Sequence, residues 1–208
     1  MIRQPLFNGC DGGIMMEYDK LLVEGMGYKS CWMVIEGSSQ QEIADTLLQK
    51  DTERCTYQAG LEKIHQADYD DHTAFVTADF HHTNFVMGIC LSRFFDEQDK
   101  MLPLLKSFPR VYLYLTHRVS ECHGFAVLEY GVIKRFYYFN EYDIQDIGEP
   151  LSAEKKLGYH LPKDFDEMWD HDDITDMDEE IIIALAAEQT GVDAAKYPYE
   201  NVIAGKLV

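Results

Sequence analysis

Between Thr116 and His123 the chain reads Thr-His-Arg-Val-Ser-Glu-Cys-His, its densest run of side chains suited to proton transfer or metal binding. His117 and His123 stand six apart, with Glu121 between them. A metal needs imidazole and carboxylate ligands that converge at bonding distance. In an extended run, residues of equal parity share a face. His117, Glu121 and His123 are therefore a possible His–Glu–His set. With Arg118 they make the group that a small-molecule or metal-dependent enzyme would use. The competing reading is structural: Arg118 and Glu121 pair or satisfy backbone groups, and the histidines hydrogen-bond at a sheet edge. The spacing matches no HExxH-type zinc signature. His81 and His82 follow Asp79 in a polar stretch that reads as a solvated turn.

Nucleophilic and phosphate chemistry find little footing. No GxSxG, GxGxxG or GxxxxGK[ST] pattern occurs. Cys122 adjoins His123, but neighbouring strand residues point to opposite faces. No cofactor is expected.

The second notable run is Asp164–Glu180, with ten acidic residues in seventeen. It fails the EF-hand pattern, which needs Gly at the sixth position and Glu at the twelfth. It reads instead as a solvated helix-bearing segment or as a docking surface for a basic protein. Surfaces of one charge speed association and help fix register. Asp166, Trp169, Asp170, Asp172, Asp173, Asp176 and Asp178 are the candidate partner-binding residues. Phe165 and Trp169, four apart, either anchor a partner or pack the segment onto the domain.

Charge sets the limits on function. The 208 residues carry 18 Lys+Arg and 37 Asp+Glu, a net of −19. Such a chain repels nucleic-acid phosphates and anionic membrane surfaces. The excess is concentrated late: residues 141–208 hold 18 acidic and 5 basic side chains. No apolar stretch is long enough for a membrane helix, and the N-terminal residues do not read as a signal peptide. The five cysteines are irregularly spaced and form no CxxC pair, as expected of reduced cytoplasmic thiols.

The elements that must position these groups are partly legible. Residues 30–36 read as a strand. Ser39 with Glu42 has capping-box spacing, and Ile43, Ala44, Leu47 and Leu48 continue at helical spacing. A helix is predicted over Tyr57–Gln66, with Gly60 against it. Strands are predicted at 73–78, 84–90 and 110–116, and a hairpin at 124–129 and 132–139 around Tyr130-Gly131. Residues 97–107 can form a helix, with Pro103 breaking or kinking it. Helices return at 152–157, 164–169 and 178–189, the last ending before Gly191. Together these predict one α+β domain over 1–208. A helix-plus-sheet core occupies 1–150, with helices packed on one face of an antiparallel sheet, and 151–208 form an acidic helical region.

The stretch from Thr116 to Glu149 resembles a family of uncharacterised bacterial cytosolic proteins. The matching positions are His117, Arg118, Val119, His123, Gly131, Arg135, Tyr138 and Glu141, with a similar stretch at 57–61 and 74–77. Leu161-Pro162-Lys163-Asp164-Phe165 resembles the Leu-Pro-x-x-Tyr/Phe opening helix of SMI1/KNR4-like immunity proteins, which lies near the N-terminus in that superfamily. The resemblance implies a small acidic immunity or accessory protein with no enzyme activity attached. Charge and resemblance together lead to one expectation: a non-enzymatic cytoplasmic protein that masks a basic partner, such as a toxin, and binds neither nucleic acid nor membrane. The enzyme built on His117, Arg118, Glu121 and His123 is the alternative.

Overall fold

The computed structural model describes residues 29–49, 51–67, 71–79, 82–170, 174–191 and 201–208. Strand β1 (Lys29–Glu36) leads into helix α1 (Gln40–Leu47), and β2 (Glu53–Thr56) runs directly into α2 (Tyr57–Gln66). Strands β3 (Thr73–Val76) and β4 (Thr83–Met87) follow, then α3 (Arg93–Asp96) and α4 (Gln98–Leu105). Next come β5 (Arg110–His117), β6 (Cys122–Glu129), β7 (Val132–Phe139) and the short β8 (Ile144–Ile147). Helices α5 (Ser152–Leu157), α6 (Phe165–Asp170) and α7 (Glu179–Thr190), with strand β9 (Asn201–Lys206), complete the order. The nine strands form one antiparallel sheet in the order β2-β9-β3-β4-β1-β5-β6-β7-β8. The α+β class with an antiparallel sheet is the architecture expected from the sequence. Among the described residues no helix is long and apolar enough to cross a membrane.

Local signals act where they were read. The Ser39 hydroxyl accepts from the Glu42 amide at 3.3 Å, and the Glu42 carboxylate accepts from the Ser39 amide at 2.8 Å. Gly60 is tolerated in α2 because a Cβ there would meet Val202 at 2.9 Å and Phe75 at 3.1 Å. Its absence lets the helix lie close on the sheet. At the β6–β7 turn Tyr130 and Gly131 both have positive φ, 49° and 73°. That is the two-residue turn whose twist matches a hairpin.

Two expectations need correction. The helices cover both faces of the sheet, not one. In β1, Cys31, Met33 and Ile35 face a core completed by Ile43 and Leu47 of α1, Phe94 and Phe95 of α3 and Leu105 of α4. The alternate residues Trp32 and Val34 face a second core with Leu61 and Ile64 of α2, Ala153 of α5, and Ile182 and Leu185 of α7. Strand β5 sorts likewise: Val111, Leu113 and Leu115 to one side, Tyr112 and Tyr114 to the other. Strands apolar at both parities have no face to give to water, so each side needs its own cover. The second correction concerns 151–208. This region is not only helical, because β9 enters the sheet between β2 and β3. Val202 and Ala204 join one core and Ile203 the other.

Arg135 of β7 lies inside the second core, 1% exposed. Its Nε donates to both oxygens of Glu154 at 3.2 and 3.1 Å, and a terminal nitrogen reaches Glu154 at 2.9 Å. The other terminal nitrogen pairs with Asp146 and approaches the Ile147 and Gly148 carbonyls at 3.3 Å. The rings of Phe125 and Tyr137 flank the guanidinium at 5.6 and 5.7 Å. Glu154 also accepts from the Leu151 amide at 2.8 Å, where α5 begins. One side chain thus joins β7, β8 and α5.

Breaking such a pair from one side strands a buried charge. Arg135→Met is expected to lower unfolding free energy by about 3–5 kcal/mol in urea titration. Arg135→Met with Glu154→Leu should recover part of that loss. Equal losses in the single and double variants would mean that packing, not charge, sets the cost.

Candidate functional site

The acidic segment is held to the domain by its apolar and capping residues, which leaves its carboxylates outside. At the start of α6 the Asp164 carboxylate accepts from the Glu167 amide at 2.8 Å, and Glu167 accepts from the Lys163 amide at 2.7 Å. The Phe165 ring packs on Phe139 of β7, with centroids 6.2 Å apart. Tyr137 donates its hydroxyl to the Pro162 carbonyl at 3.0 Å. Thr175 is clasped to His160 by two hydrogen bonds, Thr175 N to His160 O at 2.8 Å and His160 N to the Thr175 hydroxyl at 3.0 Å. Met177 and Leu161 are buried. Asp178 caps α7, its carboxylate accepting from the Ile181 amide at 2.9 Å.

With the backbone so fixed, Asp166, Asp176, Asp178 and Glu180 are exposed. Phe165 packs onto the sheet. Trp169 and Asp170 fall in α6, and nothing further is described of them. Asp172 and Asp173 lie outside the described residues. Glu179 departs from the pattern: it turns inward, and its carboxylate meets Arg118 at 2.9 Å.

The histidines do not converge as sequence parity suggested. The β5–β6 register pairs Thr116 with His123 and His117 with Cys122. His117 and His123 therefore belong to opposite faces. The parity argument fails because residues 118–121 are not extended. Arg118–Ser120 form a 3₁₀ turn, and Glu121 is left-handed with φ 45°. His123 is buried, its Nδ1 3.0 Å from the Thr116 hydroxyl. His117 accepts from the Ser120 amide at 3.3 Å. Arg118 is engaged with Glu179, and Glu121 is exposed. Cys122 is half-buried, with its sulfur 3.2 Å from the Tyr138 hydroxyl. Among the described residues no three His, Cys, Asp or Glu side chains stand close enough to hold a metal ion. His82 sits in its turn with φ 64°, its carbonyl accepting from Gly37 N at 2.8 Å. His81 lies outside the described residues.

Two clefts among the described residues are lined by ion pairs. One of about 410 Å³ beside α2 contains Lys63 paired to Glu53 at 2.9 Å and Lys206 paired to Asp71. Another of about 380 Å³, beside α5 and α7, contains Arg110 paired to Glu129 at 2.8 Å and Lys156 paired to Glu188 at 2.7 Å.

The group that sequence reasoning missed is the Arg135 network. Arg135 came to notice through the family resemblance alone, and its partners Glu154 and Asp146 did not. A signal existed: Arg135 shares strand parity with Tyr137, so it had to point inward and find carboxylates. Of the other positions carrying the resemblance, Tyr138 is buried beside Cys122 and Glu141 is exposed. Comparison with known protein families, curated proteins and solved structures finds no match to this chain.

Burial pushes the His123 ring down to about 4 from an ordinary 6.5, with Asp178 opposing and His117 and Arg118 reinforcing. As pH falls from 6.5 towards 4, the unfolded chain binds a proton there that the folded chain refuses. Stability should fall through that window by up to about 3 kcal/mol and then level off in this contribution. His123→Gln should flatten that part of a denaturation-versus-pH profile. A variant with the wild-type slope would show that other groups set it.

Proposed function

We propose that this is a non-enzymatic binding protein that masks a basic protein partner, in its most concrete form an immunity-type protein that neutralises a basic toxin. The observation that carries the reading is the exposed acidic face of α6 and the α7 entrance, fixed by buried apolar residues while Asp166, Asp176, Asp178 and Glu180 stay in solvent. An acidic surface of this kind raises the encounter rate with a cationic partner and orients it before short-range contacts form. The described cysteines, Cys31, Cys55, Cys90 and Cys122, are free thiols, as a cytoplasmic location would require. His117 and His123 face opposite sides of the β5–β6 pair.

The test joins capture to kinetics. Tagged protein is used to capture a stoichiometric partner from its source lysate through a salt-wash series. Association of that partner is then timed with wild type and with a variant carrying Asp166→Asn, Asp176→Asn, Asp178→Asn and Glu180→Gln. Asn at 178 retains a capping side chain. The variant is expected to associate about tenfold more slowly at low salt, with a flatter salt dependence. An unchanged association rate, or a partner held equally at high salt, would sink the reading.

A further inference from the structure

We propose that the edge of β8 away from β7, which no described strand covers, is the docking line for the partner, which adds an extended, Lys/Arg-bearing segment to the sheet as a further strand. This inference rests on the acidic-docking reading and names its contact surface.

β8 ends the sheet order, with β7 on one side and no described strand on the other. The register shows which backbone groups of β8 point away from β7. Asn140 N donates to Asp143 O at 3.1 Å, and the ladder continues with Tyr138 opposite Gln145 and Phe136 opposite Ile147. In an antiparallel ladder alternate residues turn both N–H and C=O towards the same neighbour. Gln145 and Ile147 therefore bond to β7, while Ile144 and Asp146 present their N–H and C=O groups outward. The edge is already formed. The Asn140 side chain accepts from the Tyr142 and Asp143 amides at 2.8 and 2.9 Å, which sets the turn. Arg135 holds Asp146 and the Ile147 carbonyl from behind. A preformed edge needs no ordering when a partner arrives.

Charge selects the occupant. Open edges are commonly guarded by lysine, but residues 136–154 contain neither lysine nor arginine. Glu141, Asp143 and Glu149 are exposed around β8, while Asp146 is paired with Arg135, which it shares with Glu154. Tyr142 at 85% and Ile147 at 47% exposure offer apolar contact at its two ends. The proposed acidic face adjoins the same edge: Phe165 of α6 packs on Phe139, and Phe139 pairs with Ile144. The opposite edge, β2, is different. There Glu53 is paired to Lys63, and Arg54 donates to Gln41 at 2.7 Å. An extended basic segment suits β8, with main-chain bonds for affinity and alternate side chains reaching the carboxylates.

The test uses two acetylated, amidated octapeptides of equal charge, (Lys-Thr)₄ and (Lys-Pro)₄, titrated into the isotopically labelled full chain at low salt. Proline lacks the N–H needed for a ladder. (Lys-Thr)₄ is expected to bind about tenfold more tightly, a difference of about 1.4 kcal/mol, and to slow hydrogen exchange at Ile144 and Asp146. Equal binding, with spectral changes confined to 166–180, would overturn the edge proposal and leave the acidic-docking reading standing. Failure of both peptides to bind would overturn both. Ile144→Pro removes an outward N–H, a change that edge strands tolerate, and should bring the two affinities together. If that variant fails to fold, the exposed Glu141→Lys, Glu149→Lys pair serves instead. It should weaken (Lys-Thr)₄ about tenfold, and an unchanged affinity would overturn the site.

Discussion

A guanidinium shut away from water must find carboxylates, and Arg135 ties β7, β8 and α5 together through that requirement. Removing such an ion from water costs several kcal/mol even after relaxation. The cost is offset only when its donors are met together. Glu154 comes from α5, Asp146 and the Ile147 carbonyl from β8, and the Gly148 carbonyl from the turn after it. The strand, its neighbour and the helix are consequently fixed relative to one another. Glu154 is shared with the Leu151 amide, so the start of α5 depends on the same carboxylate. The rings of Phe125 and Tyr137 close the site on the sheet side.

The twofold covering of the sheet follows from a different constraint. β1, β5 and β6 are apolar at successive positions, so neither face tolerates solvent. Helices α1, α3 and α4 take one face; α2, α5 and α7 take the other. With both faces closed, recognition moves to what remains outside: helix surfaces, hairpin tips and sheet edges. Among the described residues of 141–208, Glu141, Asp143, Glu149, Asp166, Asp176, Asp178 and Glu180 sit there, where their carboxylates stay hydrated. Glu154 and Glu179 go inside, and each has an arginine to meet it.

Much of the local structure was legible. The Ser39–Glu42 cap, the α2 span, the Tyr130-Gly131 hairpin and the Asp178-capped α7 rest on short-range chemistry that acts within a few residues. The strands β2, β8 and β9 were not legible: β2 and β8 are edge strands with no buried apolar run, unlike the equally short β3, and in β9 Asn201, Gly205 and Lys206 surround only three buried residues. Their identity depends on the strands beside them. The acidic face was readable as composition. Which of its carboxylates are free was not, since Glu179 differs from Glu180 only in where α7 lies against Arg118.

The residues alone determined the α+β class, the capped helices, the long central strands and an acid-rich final third, because hydrophobic alternation, capping and charge are properties of local sequence. Only the tertiary structure decided that helices close both faces, that β9 enters the sheet between β2 and β3, and that Arg135 draws Glu154 and Asp146 together. It also placed His117 and His123 on opposite faces. Strand parity holds only while the chain stays extended, and the left-handed Glu121 interrupts it. Contacts between residues far apart in sequence depend on register and packing, and no local pattern encodes those.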